Sequence, residues 1–244
     1  MKYGIFGDVH GNLAAFEAVW KALNTAGCEK FICTGDVTGY GPQPHECIQR
    51  VRETGAVCVL GNHDEYVANL LDTHLAKLDV DIRQTIEWMR STLPMEDIRW
   101  LGGLPLHVET DGFTVVHGML GPKHWGYVTN TETLLAHFAY QKTAVCFNGH
   151  THMPIYGCQL PDRPPMIDFL TRAVTVPSTA RVLINPGGVG QPRDRDARAA
   201  CCTYDSVTRE VRPIRVEYDV AATQNLMREL KLPVRFIERL AFGK

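Results

Sequence analysis

The segment Val145-Cys146-Phe147-Asn148-Gly149-His150-Thr151-His152 decides how the rest of the chain is interpreted. Its apolar start predicts a short strand that leads directly into two imidazoles separated by one residue. In open α/β sheets the carboxyl ends of strands line the ligand-binding crevice. Two histidines at such an end suggest metal ligands, although an isolated His-x-His pair is more often incidental. A metal site here therefore requires further ligands from other strand ends.

Three strand–loop–helix units precede this segment. Residues 3–6, 31–34 and 56–60 are short apolar runs. A polar loop follows each run, and the residues after each loop are predicted to be helical, most clearly where apolar positions recur at helical spacing after the first run. Such alternation predicts a parallel sheet whose faces are covered by helices. The loops after the three strands should then lie along one edge of the sheet.

The strand ends carry carboxylate, amide and imidazole side chains. The full set is Asp8, His10, Asp36, Asn62, His63, His117, His150 and His152. Five of the ten histidines belong to it, and chance placement of so many ligand-type residues after apolar strands is improbable. Mixed oxygen and nitrogen donors suit Mn²⁺, Fe²⁺ or Zn²⁺ rather than Ca²⁺. The set is larger than one four-coordinate zinc requires, so two divalent metal ions are predicted.

The rest of the chain has a different periodicity. Residues 104–117 predict a β-hairpin across an Asp-Gly turn, and residues 131–138 predict a helix before the opening strand. Beyond that strand, runs separated by turns predict a mainly antiparallel second sheet, followed by helices at 220–230 and 234–240. Because no linker, repeat or low-complexity segment divides the chain, residues 1–244 are expected to form a single domain.

Composition and charge limit the classes of function. The chain has 244 residues, 45% of them hydrophobic, and a formal net charge of −2, so it has no global attraction for nucleic acid or acidic membranes. Its eight cysteines lack Cys-x-x-Cys spacing and are interpreted as reduced thiols. No apolar segment is long enough for a signal peptide or a membrane span. A cytoplasmic protein is expected.

The ordered motifs closely resemble those of the calcineurin-like metallophosphoesterases. That signature is Asp-x-His, Gly-Asp, Gly-Asn-His-Asp/Glu, His-Gly and Gly-His-x-His, and all five blocks occur in order between Gly7 and His152. The loops at 35–42 and 185–194 also resemble those of a compact bacterial and archaeal phosphodiesterase branch. The resemblance implies an α/β (α+β) fold, a four-layer αββα sandwich of two mixed β-sheets flanked by helices.

The resemblance also assigns a role to each motif residue. The implied ligands of the first metal are Asp8, His10 and His152. The implied ligands of the second metal are Asn62, His117 and His150, and the Asp36 carboxylate is expected to bridge the two ions.

The implied activity is hydrolysis of a phosphate ester by a hydroxide that two metal ions share. His63 is expected to face the phosphate, where it stabilises charge or protonates the leaving alkoxide. Asp64 either orients His63 or caps the next helix. Two alternatives remain open, a protein phosphatase and a non-catalytic scaffold of the same fold.

Loop residues near the motifs suggest a small phosphorylated substrate, such as a nucleotide or a dinucleoside polyphosphate. Tyr40, Trp125 and Tyr127 are candidates for stacking on a nucleobase, although loop aromatics more often pack within their own loop. Arg193 is a candidate for binding a second phosphate. The arginines and aspartates of residues 193–198 can equally form a solvated, self-paired loop.

Overall fold

Twelve strands form two six-stranded sheets in the computed structural model, which describes residues 1–71 and 73–244. In spatial order the first sheet contains β3 (Val57–Cys58), β2 (Lys30–Cys33), β1 (Lys2–Phe6), β11 (Ala199–Asp205), β12 (Glu210–Val216) and β9 (Val174–Thr175). The second sheet contains β4 (His107–Thr110), β5 (Phe113–Val116), β6 (Val145–Phe147), β10 (Arg181–Pro186), β7 (Pro154–Gln159) and β8 (Met166–Phe169). Both sheets mix parallel and antiparallel pairs, as expected.

Eight α-helices and one short 3-10 helix, Thr73–Lys77, accompany the sheets in these residues. The α-helices are α1 (Leu13–Thr25), α2 (Pro44–Glu53), α3 (Asn62–Ala68), α4 (Val80–Thr92), α5 (Met95–Gly102), α6 (Thr131–Phe138), α7 (Val220–Glu229) and α8 (Val234–Arg239). The Asn12 side chain accepts a hydrogen bond from Ala15 N and so caps the start of α1. Within the described residues, no helix has both the length and the apolar character needed to cross a bilayer.

The predicted parallel arrangement of the first three strands is confirmed. β1 pairs with β2, and β2 pairs with β3, both in parallel. Because successive side chains of a strand point to opposite faces, Ile5 and Ile32 enter the core between the two sheets. Phe6 and Cys33 instead pack in the core that includes residues of the helices. The loops after the three strands consequently meet at one edge.

The second sheet brings its own loops to the same place. β5, β6 and β10 are parallel neighbours, with Val115 and Ile184 both paired with Phe147. The backbone N–H of His150, just beyond β6, donates to the Asp8 carboxylate beyond β1 at 3.1 Å and 3.2 Å. The carboxyl ends of strands from both sheets therefore converge on one crevice.

The expectation that the C-terminal strands form the second sheet is wrong. β9, β11 and β12 belong to the first sheet, where β11 pairs antiparallel with β1. Of the strands that follow β6, those in the second sheet are β7, β8 and β10, which join β6 and the β4–β5 hairpin. The apolar periodicity of a strand shows that one face is buried, but it does not show which of two sheets the strand joins. The two-sheet sandwich itself is as the resemblance implied.

Candidate metal centre

Five of the predicted ligands have left-handed backbone conformations. Their φ angles are 51° for Asp8, 50° for His10, 54° for Asp36, 70° for His150 and 58° for His152. This region is uncommon for residues other than glycine, and such conformations concentrate at functional sites where the surroundings hold them. Here they turn the chain sharply after β1, β2 and β6, so that neighbouring residues present side chains to the same crevice.

The first group of ligand atoms combines the loops after β1 and β6. The Nε2 atoms of His10 and His152 lie 3.1 Å apart. Asp8 Oδ1 is 3.4 Å from His152 Nε2 and 3.8 Å from His10 Nε2. All three side chains are buried. Two imidazole nitrogens and a carboxylate oxygen at these separations form a suitable pocket for one divalent cation.

The second group combines α3 with the loops after β5 and β6. His117 Nε2 lies 3.2 Å from Asn62 Oδ1 and 3.2 Å from His150 Nδ1. The three residues come from different parts of the chain, and all are buried. Their donor atoms provide one neutral oxygen and two imidazole nitrogens for a second cation.

Asp36 lies between the two groups. Its Oδ1 accepts a hydrogen bond from the His63 backbone N–H at 2.9 Å. Its Oδ2 is buried without a hydrogen-bond partner, 3.6 Å from His10 Nε2 and 3.3 Å from His117 Nε2. Because a buried carboxylate oxygen without a partner is costly, this atom fits a position shared by two metal ions.

The protein stabilises the charges of the two aspartates to different degrees. Burial raises the pKa of Asp8 to about 7, with His117 acting against this rise. Burial also disfavours ionised Asp36, but the nearby His117 and His63 hold the pKa of this carboxyl well below its usual range. Two neighbouring buried carboxyls with such different pKa values are an arrangement that bound cations would relieve.

The four imidazoles of the two groups are oriented by backbone carbonyls. The distances from donor nitrogen to carbonyl oxygen are 2.9 Å for His10 to Thr38, 2.8 Å for His117 to Thr34, 2.6 Å for His152 to Gln191 and 3.0 Å for His150 to Trp125. A carbonyl only accepts, so the outer nitrogen of each ring carries its proton. The inner nitrogen then faces the crevice, which is the usual outer-shell arrangement of metal-binding histidines.

His117 differs from the other three imidazoles in its pKa. Burial lowers the pKa of His10 and His152 well below the usual value, and it lowers that of His150 to about 3. Burial has the same tendency at His117, but the nearby Asp36 carboxylate raises the pKa of this ring to about 9. His117 is therefore the ring most strongly coupled to the negative charge of the crevice.

His63 and Asp64 follow Asn62 but have different surroundings. The His63 ring is buried 5.0 Å from the His10 ring, and its Nδ1 has no hydrogen-bond partner. Asp64 accepts hydrogen bonds from Thr38 N at 2.9 Å and Gly61 N at 3.3 Å. The contact with Gly61 N agrees with the interpretation that Asp64 caps α3. The contact with Thr38 N also connects Asp64 to the loop after β2.

The three candidate aromatics are placed differently. Tyr40 is only 6% exposed, with its ring 4.6 Å from both the His10 and His63 rings. Tyr40 therefore forms part of the wall, and its packing disfavours stacking on a base. Tyr127 is 50% exposed and stacks on the His150 ring at 4.1 Å. Trp125 is partly buried, and its Nε1 donates to Glu65 at 3.0 Å.

The Arg/Asp-rich loop divides into two parts. Arg198 pairs with Asp196 of the same loop at 2.7 Å, whereas Asp194 pairs with Arg215 of β12. Arg193 instead turns towards the metal centre, where its Nη2 donates to the Tyr40 hydroxyl at 3.1 Å. Self-pairing within the loop therefore holds for Arg198 and Asp196, and binding of a second phosphate by Arg193 stays a prediction.

Two residues near the centre were missed by the sequence interpretation. Glu65 bonds the Trp125 indole, and its only sequence signal is its position directly after the Gly-Asn-His-Asp motif. Gln191 accepts a hydrogen bond from His152 through its backbone carbonyl. Any residue type could make this contact, so the sequence gives no signal for it. Both depend on contacts between distant segments.

Comparison with known proteins identifies the family. The sequence profile of the calcineurin-like phosphoesterase superfamily domain matches residues 1–207. The chain belongs to this superfamily. An uncharacterised protein of Methanocaldococcus jannaschii is 30% identical over 250 residues, which cover 98% of this chain and 97% of that protein. Within the part of the chain that the structure describes, three groups of buried His and Asp side chains lie close enough together to hold a metal ion.

Solved structures of similar proteins agree with this assignment. A metallophosphoesterase from Sphaerobacter thermophilus is 37% identical, with 100% of both chains covered and a TM-score of 0.86. A hypothetical protein from Pyrococcus horikoshii has the same fold at 20% identity, with a TM-score of 0.81 and coverage of 100% of this chain and 98% of that one. The calcineurin-like sandwich is therefore the fold of this protein.

Proposed function

We propose that this protein is a dinuclear metal-dependent phosphoesterase that hydrolyses a phosphate monoester or diester. The observation that carries the proposal is the unpartnered Oδ2 of Asp36, which faces both groups of ligand atoms. Asp8, His10 and His152 would hold one ion. The second ion would be held by Asn62, His117 and His150, with Asp36 between the two groups of ligands.

The donor set supports Mn²⁺, Fe²⁺ or Zn²⁺ as the bound ions. When bound, two such ions would supply a nucleophile at neutral pH and would neutralise charge on the phosphoryl oxygens. Asn62 contributes a neutral oxygen, which preserves more of the positive charge in the crevice than a carboxylate would. The carbonyls that orient the four imidazoles keep their inner nitrogens turned towards the crevice, where they would bind the ions.

His63 is the proposed catalytic residue outside the ligand groups. Its unpartnered Nδ1 and its position beside His10 and Tyr40 support a contact with the substrate rather than with another side chain. Such a group stabilises charge on the phosphoryl oxygens or donates a proton to the leaving oxygen. Asp64 acts as a positioning residue, because it ties the loop that carries Asp36 to the start of α3.

We also propose that the substrate is a nucleotide or a dinucleoside polyphosphate. The exposed Tyr127 and the partly buried Trp125 border the His150 side of the crevice and are the candidates for contact with a base. Arg193 borders the opposite side, next to Tyr40. All eight cysteines are free thiols and seven are buried, which supports a reducing cytoplasmic location.

A metal-by-substrate activity panel tests the proposed function. The protein is loaded with Mn²⁺, Fe²⁺ or Zn²⁺ and assayed on aryl monoesters and diesters, mononucleotides, cyclic nucleotides, dinucleoside polyphosphates and a phosphopeptide. We expect metal-dependent turnover of phosphate esters and selectivity for a nucleotide substrate. Inactivity with every metal would favour the scaffold alternative, and a preference for the phosphopeptide would favour a protein phosphatase.

A further inference from the structure

The C-terminal hairpin of α7 and α8 contacts the wall of the metal centre, although it lies beyond residues 1–207 that match the family profile. Its core consists of Tyr40, Met227, Leu232, Phe236, Ile237 and Leu240. The Phe236 ring lies 4.7 Å from the Tyr40 ring, and the opposite contacts of Tyr40 are with His10 and His63. Only one side chain therefore separates the hairpin from the proposed ligands.

Arg239, at the end of α8, comes next to Arg193. Both guanidinium groups donate to Gln191 Oε1, at 3.3 Å from Arg239 and 3.2 Å from Arg193. Neither forms an ion pair with a carboxylate in the part of the chain that the structure describes, whereas Arg198 and Arg235 nearby do. Two half-buried like charges that share one neutral acceptor repel each other, and a bound anion would relieve this repulsion.

Two buried donors at this place also have no partner. Gln191 is 1% exposed. Its Oε1 accepts from both guanidinium groups, which fixes the orientation of the side-chain amide and leaves Nε2 as the donor atom. That Nε2 has no hydrogen-bond partner, and neither has Arg193 Nε. Unpaired buried donors are rare and require an explanation. Burial and the adjacent Arg193 also lower the pKa of Arg239, as expected for a cation without a counter-charge.

We propose that Arg193, Arg239 and Gln191 form an anion subsite that binds a second phosphate group of the substrate, beside the phosphate that is hydrolysed. Guanidinium groups form strong charge-assisted hydrogen bonds with phosphate. This inference rests on the proposed function, and it narrows the substrate class to phosphate esters with a second phosphate. Arg239 is then a specificity-determining residue contributed by the C-terminal hairpin.

Calorimetric binding of non-hydrolysable probes tests the subsite. Full-length Mn²⁺-loaded protein is titrated with methylphosphonate, with methylenediphosphonate, and with propane-1,3-diphosphonate. The two larger probes distinguish an anhydride-type from an ester-linked second phosphate. We expect at least one of them to bind about tenfold or more tightly than methylphosphonate, because it gains charge-assisted hydrogen bonds.

The variants Arg239→Gln and Arg193→Gln should each remove most of this preference. Arg239→Lys should keep part of it because the charge remains. Arg228→Gln is the matched control, because Arg228 is an exposed arginine of the same hairpin that donates to Asn225, and it should keep the full preference. If Arg239→Gln fails to fold, Arg193→Gln provides the same test.

Two results would overturn the subsite. The first is a wild-type protein with no preference for either larger probe. The second is a preference that survives in both glutamine variants, because it would then come from chelation of the metal ions alone. These outcomes are separate from failure of the proposed function, which would appear as absence of turnover of every phosphate ester in the activity panel while probe binding remained measurable.

Discussion

Asp36 uses its two carboxylate oxygens for different tasks. One accepts the His63 N–H at the start of α3, and the other faces His10 and His117 without a partner. The left-handed backbone at Asp36, φ 54°, turns the side chain into the crevice. An aspartate or an asparagine at this position could accept the hydrogen bond at the start of α3. A position between two cations, in contrast, requires the negative charge of the aspartate.

The variant Asp36→Asn should therefore lower the metal content from two ions per chain to one or fewer and remove most activity. An amide at this position cannot offset the repulsion between two dications. Metal analysis after desalting measures the change. Asp162→Asn, at an exposed aspartate, is the control and should keep both ions. Two tightly held ions in Asp36→Asn would show that Asp36 is not the bridge.

Replacement of His63 separates catalysis from metal binding. The hydrogen bond to Asp36 comes from the His63 backbone, so His63→Ala keeps it. We expect kcat to fall by about 10²–10⁴-fold on an ester with a poor leaving group, with metal content unchanged. His107→Ala, at an exposed histidine, should leave both unchanged. Wild-type turnover in His63→Ala would exclude this ring from the reaction.

At the scale of elements, α3 and the loop at 119–128 hold the second group of ligands together. α3 carries both Asn62 and Glu65, and Glu65 accepts from the indole of Trp125. The backbone carbonyl of Trp125 in turn accepts from His150 Nε2. Tyr127 of the same loop stacks on the outer face of the His150 ring. The orientation of His150 therefore depends on a contact with α3.

Removal of this contact should weaken the second metal specifically. In Glu65→Ala we expect the affinity for one of the two ions to fall by less than the about 10–100-fold typical of losing a direct outer-shell partner, because the Trp125 carbonyl remains to accept from His150. Competitive metal titration measures both affinities. Glu132→Ala, at an exposed glutamate in the first turn of α6, is the matched control. Equal weakening of both ions would indicate general destabilisation instead.

At the scale of the whole molecule, two sheets and the C-terminal hairpin enclose one crevice. The core between the sheets contains residues of both, such as Ile5 of β1 and Phe147 of β6. The hairpin packs its Phe236 on Tyr40, which lies between it and the metal centre. We propose that residues 1–244 form one cooperative domain, because the hairpin core is incomplete without Tyr40.

The hairpin should then contribute to the stability of the whole protein. Phe236 is 1% exposed, so Phe236→Ala should lower the free energy of unfolding by about 3–5 kcal/mol. Thermal unfolding of the metal-free variant should remain a single transition at a lower Tm. Phe242→Ala, at a phenylalanine that is 60% exposed, should change Tm little. Two separate transitions would show that the hairpin unfolds independently.

The amino-acid sequence by itself determined the parallel β1–β2–β3 unit and the ligand-type residues at the strand ends. These features are local, since apolar periodicity and the residue after a strand are set by neighbours in the chain. Parallel strands also bring their carboxyl ends to one edge. Asp8, Asp36 and Asn62, which follow these three strands, therefore had to lie near one another once the strands were recognised.

The tertiary structure alone decided the partners of residues that are distant in sequence. It placed β11 beside β1 in the first sheet, turned Asp64 to the loop after β2, buried Tyr40 against Phe236, and brought Arg239 to Arg193 through Gln191. The physical reason is that these contacts depend on how two sheets and a helical hairpin pack. Residue type and local periodicity carry no information about that packing.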